Sequence, residues 1–153
     1  MTLPLCQTLT DTAPEGAPAV TLDYDGRFLR RKRLATDDGQ AFLLDLPQTT
    51  SLPHGAGLVL EDGRTLRVVA AVEPLLAITG DLPRLAWHIG NRHTPCQIEG
   101  DRLLIQRDPV IRHMLDHLGA SVQEVDAPFT PEGGAYGHGR THAHDHGATA
   151  HAH

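Results

Sequence analysis

The stretch EPLLAITGDLPRLAWHIG (residues 73–90), continued by CQIEGDRLLIQRDPVIRHMLDHLGASVQEVDAPF (96–129), changes period four times and fixes the fold class. EPLLAITG (73–80) is an apolar run of strand length. Asp81-Leu82-Pro83 then offers an N-cap oxygen and a proline in the first turn. A helix through Leu85, Ala86 and Ile89 follows, with Trp87 near its end and Gly90 at or near its C-terminus. CQIEGDRLLIQRD (96–108) reads as two short strands around Glu99-Gly100-Asp101. Asp108-Pro109 opens a second helix whose apolar face is Val110, Ile111, Met114, Leu115 and Leu118, closed by Gly119. SVQEVDAPF (121–129) is a final strand. The order β-α-β-β-α-β is the ferredoxin-like split βαβ pattern, in which two helices cover one face of an antiparallel sheet.

Towards the N-terminus the signals are all β. Residues 1–20 are ambiguous, because Pro4, Pro14, Gly16 and Pro18 break any helix. From Val20, short apolar runs are separated by Asp25-Gly26, Asp38-Gly39 and Asp62-Gly63, and Asp-Gly is a strong hairpin signal. The expectation is a small sandwich or barrel. The chain is therefore expected to be α+β: a small all-β domain over 1–70, a ferredoxin-like βαββαβ domain over 71–136, and a disordered His-rich tail over 137–153. Gly133-Gly134 and the loss of aliphatic residues mark the approach to that tail.

In 153 residues the formal charge is −6, which argues against a nucleic-acid binder. The basic run Arg30-Arg31-Lys32-Arg33 reads as a solvated strand edge. Two distant cysteines, Cys6 and Cys96, form no disulfide framework and fit a reducing compartment. The opening MTLPLCQTLTDTAPEGAP lacks a basic n-region and a long apolar run, so no signal peptide is expected. No stretch reaches the roughly 18 apolar residues of a membrane span. A cytoplasmic protein with no membrane or nucleic-acid partner is the expectation.

The tail GHGRTHAHDHGATAHAH (137–153) holds His138, His142, His144, His146, His151 and His153. Their spacing, H-x3-H-x-H-x-H-x4-H-x-H, is interleaved with Ala, Gly, Thr, Arg and Asp, unlike an unbroken histidine run. His-rich tracts are a metal-binding composition. Neutral imidazole suits Ni, Cu, Zn and Fe(II), and such a tail should release metal as pH falls through the ordinary imidazole pKa of about 6.5. In the body, a lone histidine such as His93 in Gly90-Asn91-Arg92-His93 is ordinarily structural or exposed. His113 and His117 share one helix face four residues apart, but they fall beside the apolar stripe and read as solvated. His54 and His88 are isolated. No HExxH, GxSxG, P-loop or GxGxxG is present, so no catalytic residue is assigned and a transport or delivery role fits better than turnover.

GNRHTPCQIEG (90–100), the D-x-V-I-x-x-M-L-x-x-L-G helix at 108–119, APFTPEGGAYGHG (127–139) and the His-rich end together resemble the urease accessory protein UreE family, which are nickel metallochaperones. The resemblance covers roughly 70–153, and the first domain matches in character only. It implies a peptide-binding β-domain, a metal-binding second domain, and a homodimer joined through the second domains. It makes His93 the central ligand, one copy from each protomer, with His142, His144 and His146 ahead of His138, His151 and His153 as further ligands. It implies Ni(II) as cargo with Zn(II) or Cu(II) in competition. The implied acceptor is the urease apoprotein with its other accessory proteins, including the GTPase. Some relatives carry a His-x-His pair before the second helix. Arg107-Asp108-Pro109 stands there instead, which puts that accessory site in doubt. Two other readings stay open: a His-rich metal buffer without a delivery partner, and a small thiol enzyme using Cys96 and His93.

Overall fold

The computed structural model describes residues 2–134 and Arg140, so the six tail histidines lie outside the described residues. The chain divides into two units, residues 1–72 and 73–153.

The first unit is one six-stranded sheet. Its strands are β1 (Leu5–Thr10), β2 (Ala19–Leu22), β3 (Phe28–Ala35), β4 (Ala41–Ser51), β5 (Gly57–Leu60) and β6 (Thr65–Ala70), in the spatial order β2-β6-β5-β1-β4-β3. The pattern of period 2 is plain in β4, where Phe42, Leu44 and Leu46 are buried and their neighbours are not. Leu66, Val68 and Ala70 do the same in β6. The sheet curls until its two outer strands meet at one end. Just past β3, the Asp37 N–H donates to the Ala19 carbonyl (2.8 Å), and its carboxylate accepts from the Thr21 hydroxyl (2.6 Å). The expected Asp38-Gly39 hairpin is present: the Thr36 N–H donates to Gln40 O (2.9 Å), and Gly39 takes the left-handed backbone (φ 93°) that the turn requires. Asp25-Gly26, expected as a turn, lies in a single turn of 3-10 helix, Asp25–Arg27.

The second unit contains β7 (Val72–Thr79, its first residue at the boundary), α1 (Leu82–Asn91), β8 (Gln97–Ile98), β9 (Leu103–Gln106), α2 (Pro109–His117) and β10 (Ser121–Pro128). The strand order is β10-β7-β9-β8, which is 4-1-3-2 counted within the unit, and β9 is antiparallel to both β7 and β8. Leu85 and Ile89 from α1, with Ile111 and Leu115 from α2, pack on Leu76, Ile78, Leu103 and Ile105 of the sheet. Leu75, Ala77 and Leu104 point the other way and are buried too, so the central strands read as unbroken apolar runs rather than alternating ones.

Both helices begin as the sequence indicates. The Asp81 carboxylate accepts from the Arg84 N–H (3.3 Å), and Asp108 accepts from the N–H groups of Val110 and Ile111 (2.9 and 3.2 Å). The expected apolar face of α2 needs one correction. Val110 is 66 % exposed, because it precedes the buried Ile111 by about 100° around the first turn.

Candidate metal centre

The two helices of the second unit end in the same motif with different residues. After α2, the Gly119 N–H bonds to Asp116 O (3.1 Å) and the Ala120 N–H to Leu115 O (3.1 Å), and Gly119 is left-handed at φ 80°. After α1, the His93 N–H bonds to Gly90 O (2.9 Å) and the Thr94 N–H to Ile89 O (3.4 Å), and His93 sits at φ 57°. This paired pattern of carbonyl capping is the Schellman motif, whose left-handed position normally takes glycine. A side chain with a Cβ is disfavoured there by about 1–2 kcal/mol. His93 is the only non-glycine at positive φ among the described residues. Gly90 lies near the helix C-terminus as expected, one residue before the last of α1, Asn91, and the left-handed turn position falls to the histidine.

His93 is half-buried and opens a short segment, Thr94-Pro95-Cys96, leading into β8. Residues 129–132 return to that segment. Phe129 is fully buried, the Thr130 N–H donates to Gln97 Oε1 (2.8 Å), and the Glu132 N–H donates to the Cys96 carbonyl (2.9 Å). Glu132 is therefore bonded to a residue three positions from His93. Beside it lies a cavity of about 150 Å³ walled by Ala86, Gly90, Thr94, Cys96, Ile98 and Glu132. A larger one of about 530 Å³ shares Ala86 and Ile98. Ile98 (55 % exposed) and Trp87 on α1 (63 %) are the large apolar side chains that solvent reaches in this region.

Cys96 is unsuited to nucleophilic work. Burial, with the nearby Glu132 carboxylate adding to it, pushes its thiol up to about 11. The reactive thiolate is then scarce at neutral pH. Alkylation of Cys96 by iodoacetamide at pH 8 is expected to run roughly a hundredfold slower than that of a small free thiol, the factor two pKa units give. Mass spectrometry of a time course checks this, and labelling as fast as the free thiol would show that the side chain is not held this way. Cys6, fully buried, is raised also.

The other histidines separate cleanly. His54 Nδ1 accepts from the Ala70 N–H (3.0 Å), a structural role. His88 meets Trp87 edge-on, ring centroids 5.0 Å apart. His113 and His117 are exposed on α2. Arg107 and Asp108 are occupied structurally. Arg107 donates to the carbonyls of Leu75 and Val125 (both 3.1 Å), tying β7 to β10, while Asp108 caps α2. Among the described residues no three His, Cys, Asp or Glu side chains gather as a metal site within one chain. No helix of these residues is long and apolar enough to cross a membrane.

Set beside known proteins, the β-unit and the βαββαβ unit that follows it fall into a class of accessory proteins. Residues 2–71 match the family model described as the UreE urease accessory protein, N-terminal domain, and residues 68–153 match the one described as its C-terminal domain. Among curated proteins, the "Urease accessory protein UreE" of Ruegeria pomeroyi is 62 % identical over 149 residues, 95 % of this chain and 100 % of its own length. Those of Rhodobacter capsulatus (59 % over 131 residues; 86 % and 84 %) and Paracoccus denitrificans (57 % over 122 residues; 80 % and 79 %) are similar. The chain belongs to the UreE family of urease accessory proteins.

Proposed function

We propose that this protein is a cytoplasmic Ni(II) metallochaperone that delivers nickel to the urease apoprotein during assembly of its active site. The observation that carries the reading is His93 in a left-handed capping position that its twin motif gives to Gly119. Strained backbone of this kind persists where a side chain is needed for function. One imidazole cannot complete a Ni(II) coordination sphere, which takes four to six N or O donors. Two further sources are within reach. A second copy related by a two-fold axis brings a second His93. The exposed Trp87 and Ile98 beside the open apolar cavities supply surface for such a homodimer through the ferredoxin-like domains. The tail supplies the rest: His142 lies ten positions after Glu132, a maximal reach of about 35 Å. His142, His144 and His146 come first in that reading, His138, His151 and His153 after them. Zn(II) and Cu(II) compete for such donors.

A site built from two chains and a tail is open and exchangeable, which suits a donor. Delivery is tested with metal-free urease apoprotein and its other accessory proteins, including the GTPase. Adding the nickel-loaded chaperone should produce urease activity, and the zinc-loaded or metal-free protein should not. If free nickel at equal total concentration, with the chaperone left out, activates urease as well, the buffer reading holds instead.

A further inference from the structure

Helix α2 carries a pair of imidazoles that the site at His93 does not use. His113 and His117 stand four residues apart, the spacing that puts two side chains on one helix face with Cβ atoms about 5–6 Å apart. At about 100° per residue, the pair lies about 120–160° around the helix from the buried Ile111 and Leu115, so it points away from the sheet. Both side chains are exposed, and neither has a hydrogen bond or ion pair among the described residues. The neighbouring cation, Arg112, is engaged by Glu124 of β10 (3.4 Å). Asp116, about 60° to the other side of His113, adds a negative charge nearby, although the three side chains do not converge as a triad. The turn that carries the pair is held at its end. The Leu118 N–H bonds to Met114 O (3.0 Å), and the cap at Gly119 and Ala120 follows at once.

From this we infer that His113 and His117 form a two-imidazole chelate for a divalent ion of the Cu(II), Ni(II) or Zn(II) class, separate from the His93 site and from the tail. A neutral imidazole nitrogen binds such ions at about 2.0–2.1 Å, a reach that two side chains on adjacent turns can share. Once one imidazole is bound, the other is already at hand, and that local concentration is the source of the affinity. Only two donors come from the protein, so water fills the remaining positions and the ion exchanges readily. Nitrogen donors of this kind hold Cu(II) most tightly of the three. A bound ion also ties the last turn of α2 to the turn before it. The plainer role for His117, a cation favoured at the negative end of a helix, requires nothing of His113. The chelate requires each histidine to depend on the other. The inference does not rest on nickel delivery.

The probe is Cu(II) alone, titrated into the full chain at neutral pH in a buffer that does not bind metal. Modification of each histidine by diethyl pyrocarbonate is followed by tandem mass spectrometry, which reads the tail histidines separately from the pair. At ten times the midpoint concentration, His113 and His117 should each react about tenfold more slowly than without metal, from simple occupancy. His113→Gln should raise the midpoint for protection of His117 by about a hundredfold, and His117→Gln should do the same to His113. Both positions are exposed, so neither change removes a core contact. His93→Ala should leave protection of the pair unaltered, which separates a failure here from a failure of nickel delivery. Protection of one histidine that persists at the same midpoint when the other is replaced overturns the proposal. So does the absence of protection at saturating Cu(II). Loss of protection in His93→Ala would assign the pair to the shared site and overturns it as well.

Discussion

His93→Gly is expected to make the protein more stable and, at the same time, to disable nickel delivery. The two effects come from different atoms. At φ 57° the Cβ of His93 is held in a conformation that glycine adopts freely, and Gly119 occupies the equivalent position after α2 at φ 80°. Removing the Cβ should stabilise the second unit by about 1 kcal/mol. The imidazole disappears with it, and so does the nickel site proposed between two protomers. His93→Ala is the companion variant. It keeps a Cβ in the strained position, so its stability should stay near the parent's, while it loses the same ligand. Urea midpoints give the first quantity, and urease activity in cells at limiting nickel gives the second. Loss of delivery in both variants, with His93→Gly the more stable, cannot be ascribed to unfolding. Full urease activity in the His93→Gly strain would reject His93 as a ligand. A lower urea midpoint for His93→Gly would show that contacts of the imidazole outweigh the backbone strain.

That position was legible in the sequence only in part. The caps Asp81 and Asp108 were plain, because a side-chain oxygen beside a proline is a local signal and its hydrogen bonds are local too. The Asp-Gly turns at 38–39 and 62–63 were plain for the same reason. Strand β1 was not. In LCQTLT only Cys6 is fully buried, and the strand exists because β4 and β5, some forty to fifty residues further on, bond to its two sides. Gly90 marked the helix end to within one residue. A glycine near the end of an apolar helical pattern resembles a C-terminal stop. Here the helix ran on to Asn91, and the stop was made by a residue that local rules place there rarely. A histidine at positive φ has no local signature. The ligand role proposed for it comes only through GNRH as part of a family pattern. The closeness of Glu132 to His93 depends on the Glu132–Cys96 bond, a pairing across 36 residues that no window of sequence contains.

Shortening the chain to end at Gly137 is the second change with a large expected effect, because it removes all six tail histidines and leaves Glu132 and its bond to Cys96 in place. Nickel calorimetry at neutral pH should then lose several weak sites and keep one tight site per dimer. A short tether holds its ligands near a site at an effective concentration of order millimolar, so the tail is expected to contribute collection and handover rather than the final hold. Urease activation by the shortened chain should therefore fall at limiting nickel and recover when nickel is raised. The combination with His93→Ala orders the steps. If the tail feeds the shared site, His93→Ala in the full chain retains weak binding but not delivery. The double change then delivers no worse than His93→Ala alone. If shortening alone abolishes all binding, the tail is the whole site. The strain at His93 then serves something other than nickel, and the metal-buffer reading describes this protein better.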